Sequence, residues 1–138
     1  MSNDFCIEYL LFHIYGFAYI IWIVSPETLF KLLSDPTRLR MTALLAAEEE
    51  LCVCEFTQAL GASQPKVSRH LALMREEGLV AARREGTWMH YRLDPGLPAW
   101  AGRIIASAHA ELRRQAPFRQ DAGQLKHMGE RPGSKSCA

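Results

Sequence analysis

The chain has 138 residues, 49% of them apolar and 22% charged, which predicts one globular domain with a modest core rather than a disordered chain. The formal net charge of +1 excludes the strongly basic composition that would by itself indicate a nucleic-acid partner. Four cysteines, at positions 6, 52, 54 and 137, do not form the pattern of a secreted disulfide framework, so we expect a reduced, cytoplasmic chain with free thiols.

The first 24 residues are unusually apolar. Residues 5–24 match the length of a membrane span, but no lysine or arginine precedes Lys31 to orient a span or to form the basic region of a signal peptide. Three interpretations are open: a membrane anchor, an apolar helix packed on the domain or on a dimer partner, and translation that starts near Val24. We favour the last, and we expect no membrane partner, because a recognisable domain begins at Ser25.

Helix-start signals follow immediately. Ser25 offers a capping hydroxyl before Pro26, and Asp35 repeats the signal before Pro36. Apolar residues at helical spacing follow each cap, so two helices are predicted here.

A helix-turn-helix is predicted next. A third helix runs from about residue 51 to residue 60, where Gly61 ends it, and a fourth begins after Ser63 and stops at Gly78. The turn between them is short, as this motif requires.

The remaining elements complete a winged helix. Residues 79–84 and 87–93 predict a hairpin, and residues 98–115 predict a last helix with one apolar side. Residues 116–138 are rich in glycine, proline and polar residues and predict a disordered tail. The expected fold is mainly α (α+β), a winged helix-turn-helix of four helices, a β-hairpin wing and a C-terminal helix, over residues 25–115.

Cys52 and Cys54 form a Cys-x-Cys pair at the start of the third helix. Thiolate sulfur is the ligand that soft, thiophilic ions such as As(III) and Sb(III) prefer. Residues two apart on an intact helix point about 200° away from each other, so either the pair lies at a frayed helix start or binding unwinds the first turn. The helix N-terminus is expected to lower the thiol pKa values, whereas the negative charges of the nearby Glu50 and Glu55 oppose this lowering. The alternative is two small buried residues of a helix.

The start of the fourth helix carries polar and basic residues. Between residues 64 and 92, six lysines and arginines accompany three acids. Gln64 and Ser68 can read base edges, whereas Lys66 and Arg69 can hold phosphate or guanine. The alternative is an ordinary solvated helix face.

The order of these motifs resembles that of the ArsR/SmtB family of metal-responsive repressors over residues 29–112. The matching segments are Leu29–Lys31, Asp35–Leu39, Glu50–Glu55, Ser63–Leu71, Gly78–Val80 and Gly86–Leu93.

The resemblance implies a cytoplasmic homodimer that represses transcription from an inverted-repeat operator and is released when arsenite or antimonite binds Cys52 and Cys54. The residues expected to contact the double-stranded DNA are Gln64, Lys66, Ser68, Arg69, His70 and Arg84. The metalloid would act as an inducer, and no catalytic cofactor or enzymatic activity is expected.

The sequence departs from parts of the family pattern. Some members have a third cysteine where this chain has Thr57. Three alternatives are open for the third ligand: the sulfur of Cys137, the sulfur of Cys6, or no further sulfur. The family's Zn(II) site on the last helix is represented only by His109. Two alternatives stay open: a Cd(II)-, Pb(II)-, Zn(II)- or redox-responsive repressor of the same family, and a small thiol enzyme, although the chain has no Cys-x-x-Cys motif.

Overall fold

The computed structural model describes residues 23–129. In this part of the chain six helices accompany a three-stranded sheet. The elements are α1 (Pro26–Leu33), α2 (Pro36–Ala47), β1 (Leu51–Cys52), α3 (Val53–Leu60), α4 (Gln64–Glu76), β2 (Val80–Glu85), β3 (Trp88–Leu93), α5 (Ala99–Leu112) and α6 (Phe118–Lys126). The helix-turn-helix, the hairpin and the helix after it confirm the predicted winged helix.

The first two helices begin as predicted. The Ser25 hydroxyl accepts a hydrogen bond from the Thr28 amide, and the Asp35 carboxylate accepts one from the Arg38 amide at 3.0 Å. These side chains satisfy amide groups that have no partner within the helix.

The sheet joins the third helix to the wing. Its strand order is β1-β3-β2 and both pairings are antiparallel. The prediction of a helix from Leu51 is wrong for its first two residues, because Leu51 pairs with Tyr91 and Cys52 pairs with His90. This ladder satisfies the backbone and buries Leu51 completely, which outweighs local helix preference.

The core lies between the helices and the inner side of the sheet. The buried side of α4 consists of Val67, Leu71 and Met74, as the helical spacing predicts. These residues pack in one cluster with Leu29, Met41, Phe56, Leu79 and Ile105, among others. Because this side of α4 is fixed in the core, its opposite side faces outward.

The prediction of a disordered tail from residue 116 is wrong for residues 118–126, which form α6. Asp121 and Leu125 of this helix are each 2% exposed, and α6 packs against α2 and α3. The Asp121 carboxylate accepts hydrogen bonds from Arg40 Nε and Nη2 at 2.8 and 2.7 Å. The local composition could not show these contacts, because Arg40 and the helices that bury Leu125 lie far away along the chain.

The apolar N-terminal segment, residues 1–22, lies outside the described residues, as do residues 130–138. Val24 is 3% exposed and belongs to the core, so the packed region includes at least one residue before Ser25. From residue 23 to residue 129, none of the helices has the length and apolar character that a membrane crossing requires.

Candidate functional site

The two thiols of the Cys-x-Cys pair lie side by side. Cys52 is the last residue of β1 and the N-cap of α3, with an extended backbone, whereas Cys54 lies in the first turn of the helix. Their Sγ atoms are 2.9 Å apart, and neither cysteine is in a disulfide. Of the two arrangements open to the sequence, the pair therefore adopts the helix-start arrangement, and the helix does not need to unwind to bring the sulfurs together.

A buried glutamate holds the first cysteine in place. The Glu55 carboxylate accepts a hydrogen bond from the Cys52 amide at 3.0 Å, and Glu55 is 1% exposed. From the sequence, Glu55 was expected only to act as a negative charge near the two thiols. The signal that identifies its role is its position three residues after the N-cap, where an acid commonly bonds back to the cap.

The thiol of Cys52 is protonated at neutral pH. Burial raises its pKa to about 12, and the hydrogen bond with the Cys54 thiol adds to this effect. The expectation that the helix N-terminus lowers this pKa is wrong for Cys52, because removal from water outweighs the partial charge of the helix end. The site therefore holds a buried neutral thiol rather than a preformed pair of thiolates.

Cys54 and the helix-turn-helix line an open cleft of about 270 Å³, and the buried Cys52 is not among its lining residues. Its walls come from α3, from the start of α4 and from the turn and first residues of β3. The lining residues are Val53, Cys54, Thr57, Gln64, Thr87, Trp88 and Met89. The cleft places Cys54 and Gln64 on the same surface, although one was predicted to bind a metalloid and the other DNA.

The predicted DNA-contacting residues of α4 divide by exposure. Ser63 caps the helix by accepting a hydrogen bond from the Lys66 amide. The exposed residues are Gln64, Lys66 and Arg69, and the half-buried ones are Ser68 and His70. Burial lowers the pKa of His70, which favours a neutral ring with one donor and one acceptor nitrogen at pH 7. This side of α4 therefore carries cations together with hydrogen-bond donors and hydrogen-bond acceptors.

The two wing arginines have different partners. Arg83 Nε donates to the Glu50 carboxylate at 2.9 and 2.8 Å, and Arg83 Nη1 donates to Glu85 at 2.8 Å. The hydrogen bond from Arg83 lowers the pKa of Glu85. Arg84, the predicted DNA contact, is exposed and donates from Nε to the Gly86 carbonyl at 3.1 Å. The charge of Arg83 is thus offset by two carboxylates of the protein.

A buried histidine links the wing to the cysteine pair. His90 is 5% exposed and is the ladder partner of Cys52. Its Nδ1 lies 3.6 Å from Glu50 and its Nε2 lies 3.7 Å from Glu85. The sequence did not identify His90 because its partners come from another strand and from the segment before β1.

The remaining candidate ligands are not brought to the pair. Between residues 23 and 129, no cluster of three or more cysteine, histidine or acidic residues is placed to hold a metal ion. His109 lies on α5 and its Nδ1 is buried without a hydrogen-bond partner. Cys6 and Cys137, the predicted sources of a third sulfur, lie outside the described residues.

Comparisons with known proteins agree on one family. Residues 35–82 match the family model described as bacterial regulatory protein, arsR family. The arsenic resistance transcriptional regulator ArsR1 of Pseudomonas putida is 49% identical over 118 residues, covering 84% of this chain and 90% of that protein. The arsenical resistance operon repressor of Escherichia coli K12 is 57% identical over 83 residues, covering 60% of this chain and 71% of that protein.

Solved structures share the fold. HlyU from Vibrio cholerae superimposes with a TM-score of 0.55 at 31% identity, over 61% of this chain and 87% of that one. The AntR antimony-specific transcriptional repressor superimposes with a TM-score of 0.53 at 26% identity, over 66% of this chain and 85% of that one.

Proposed function

The chain belongs to the arsR family of bacterial regulatory proteins, and from this premise we propose that it is an As(III)- and Sb(III)-responsive repressor that metalloid binding at Cys52 and Cys54 releases from operator DNA. The observation that carries the proposal is the 2.9 Å separation of the two Sγ atoms beside the helix-turn-helix. Its relatives are a transcriptional regulator and an operon repressor of arsenic resistance, which excludes the thiol enzyme as an alternative. We propose the cytoplasm as its location, because a repressor must have access to operator DNA.

A homodimer on an inverted repeat is part of the proposal. One helix-turn-helix with few cations binds DNA weakly, and a two-fold dimer presents two reading helices to two half-sites. We assign the dimer surface to α1 and α5. In support, Phe30 of α1 is 56% exposed, and α5 carries the exposed small residues Gly102 and Ala106.

The protonated state of Cys52 favours arsenite over divalent ions. In neutral water arsenite is As(OH)₃, so each thiol that displaces a hydroxide from arsenic gives up its proton within the water molecule that leaves. Two As–S bonds form, two As–O bonds break, and no net proton is released. Cd(II), Pb(II) or Zn(II) binds thiolate and must instead release to solvent the proton of the Cys52 thiol, whose pKa burial raises to about 12.

Metalloid binding at the start of α3 would reach the reading helix through neighbouring contacts. Two bonds to one centre would replace the contact between the Cys52 and Cys54 Sγ atoms, beside the hydrogen bond from the Cys52 amide to Glu55. Cys54 also lines the cleft that Gln64 lines, so a metalloid there would change the surface next to the start of α4. A 100-fold weakening of operator binding requires a coupling free energy of only about 2.7 kcal/mol.

Operator release measured against four ions tests the proposal. As(III) and Sb(III) should release the protein from its operator at lower concentration than Cd(II) or Zn(II). The As(III) midpoint should stay nearly constant between pH 6.5 and 8, whereas the divalent midpoints should fall as pH rises. Release by Zn(II) or Cd(II) alone would favour the divalent-ion repressor, and release by a thiol oxidant without metalloid would favour the redox repressor.

A further inference from the structure

The proposed metalloid site is short of one ligand. Trivalent arsenic and antimony form three bonds in their hydroxides, and Cys52 and Cys54 supply two. Over residues 23–129 no third cysteine, histidine or acid completes a cluster with them. The third position must therefore be filled by a group from elsewhere.

The space beside Cys54 is much larger than a hydroxide needs. On the same volume measure a water-sized group needs about 10–15 Å³, whereas the cleft that Cys54 lines offers about 270 Å³. Val53, Met89 and Trp88, which is 38% exposed, give the cleft an apolar side. Thr57, Thr87 and Gln64 add hydroxyl and amide groups. This mixed lining suits a small organic molecule with both apolar and polar parts.

Sulfur is the donor that best fits the third position. A soft centre prefers thiolate sulfur to oxygen, so a thiol that reaches the metalloid displaces hydroxide from it. We propose that the cleft binds a low-molecular-weight thiol, which becomes the third ligand of the metalloid held by Cys52 and Cys54. This inference rests on the proposed function and adds a co-inducer to it.

The ligand exchange conserves atoms and oxidation state. Arsenic bound to the two cysteine sulfurs and one hydroxide reacts with the thiol R–SH. The As–O bond breaks, an As–S bond to the R–S group forms, and the thiol proton leaves with the hydroxide as water. Arsenic stays trivalent, so no oxidant or reductant takes part.

The position of the thiol connects it to both DNA-binding elements. Gln64 begins α4, and Trp88 begins β3 of the wing, so the body of the thiol would lie between the reading helix and the wing. It would strengthen metalloid binding and would stand beside a residue assigned to base contact. By reciprocity, the factor by which the thiol raises arsenite affinity equals the factor by which arsenite raises thiol affinity.

Native mass spectrometry of the full-length protein, kept reduced without thiols, identifies the third ligand directly. With arsenite and cysteine, the expected gain is one arsenic and one cysteine with the loss of three hydrogens. Serine, which has a hydroxyl in place of the thiol, is the matched control and should not be retained. A gain of arsenic plus hydroxide in the presence of cysteine would overturn the inference. So would a gain of arsenic with three hydrogens lost from the protein, which would identify Cys6 or Cys137 as the third ligand.

Failure of the parent proposal has a different signature. If Cys52→Ser and Cys54→Ser bind arsenic as well as the unmodified protein does, the metalloid site itself is misplaced. If these two variants bind less arsenic and the unmodified protein gains only arsenic and hydroxide, the proposed function is retained and the thiol is rejected.

Affinity measurements without DNA locate the thiol in the cleft. Millimolar cysteine should lower the arsenite Kd by about tenfold, within the usual range of coupling between two ligands, and serine should leave it unchanged. Trp88→Ala and Met89→Ala should each reduce this enhancement while retaining binding of arsenite alone. Ile23→Ala, which removes an exposed apolar side chain outside the cleft, should retain the full enhancement. An undiminished tenfold effect in both cleft variants would overturn the assignment.

Discussion

The starts of α3 and α4 use the same local device in opposite surroundings. Each helix follows an extended N-cap residue, Cys52 for α3 and Ser63 for α4. At α3 the cap is fully buried and its amide is held by the buried carboxylate of Glu55. At α4 the cap is exposed, and the exposed residues Gln64 and Lys66 follow it. Burial rather than helix geometry therefore separates the two sites.

In the proposed function, this difference divides metalloid sensing from DNA reading. Burial raises the pKa of the Cys52 thiol, so this thiol would meet a thiophilic centre in its protonated form. Exposure keeps the cation of Lys66 and the amide of Gln64 in water, where DNA can replace the solvent around them. The two helix starts meet at the cleft lined by Cys54 and Gln64.

The largest effect is expected on the alkylation rate of Cys52, the cap of the buried helix start. A rise of the Cys52 pKa from 9.0 to about 12 lowers its thiolate fraction at pH 8 by on the order of a thousandfold. Cys52 should therefore react with iodoacetamide at least about a hundredfold slower in the folded protein than in urea, and faster as the pH rises toward 12. Peptide mass spectrometry resolves the cysteines, and similar rates in both states would mean that the thiol is not protected.

The two caps should differ in their contribution to stability. Glu55→Ala leaves the buried Cys52 amide without its acceptor and should lower the free energy of unfolding by about 1–3 kcal/mol. Ser63→Ala removes an exposed cap and should lower it by about 1 kcal/mol. Urea denaturation measures both values, with Glu55→Gln as the control that keeps an acceptor. A larger loss from Ser63→Ala would reverse the comparison.

Base reading at the exposed helix start should depend on Gln64. Gln64→Ala should weaken operator binding by about 1–3 kcal/mol and leave binding to random DNA nearly unchanged. The reason is that an amide contact to a base edge distinguishes sequences, whereas the backbone is the same in both DNAs. Equal losses on the two DNAs would place Gln64 against phosphate.

The smallest effect is expected from the charge of Lys66. Lys66→Ala should reduce the slope of log binding constant against log salt concentration by about one unit, equally on operator and random DNA. Lys126→Ala removes an exposed lysine from α6 and is the matched control, for which the slope should not change. An unchanged slope for Lys66→Ala would exclude it from the phosphate contacts.

Local features of this fold were readable from the sequence, and distant contacts were not. The caps Ser25, Asp35 and Ser63 act on amides three residues away, so they are visible in a short window. The pairing of Cys52 with His90 and the ion pair of Arg40 with Asp121 join residues far apart in sequence. For this reason the sequence placed Cys52 on a helix and described the α6 segment as disordered.

The same limit applies to the site. The identities of Cys52 and Cys54 indicated their chemistry, because no other residue type offers soft sulfur as an anion. The raised pKa of Cys52 was not predictable, because it depends on burial by elements that the sequence does not place. The role of Glu55 was readable in principle from its spacing to the cap.

Arsenite titration of operator-bound Cys52→Ser and Cys54→Ser tests the central claim most directly. Each variant lacks one sulfur and keeps the reading helix, so each should bind operator with nearly unchanged affinity. Arsenite that releases the unmodified protein should fail to release either variant at a concentration at least about 100-fold higher, which corresponds to about 2.7 kcal/mol. Release of either variant at the same arsenite concentration as the unmodified protein would contradict the assignment of this cysteine pair as the sensor.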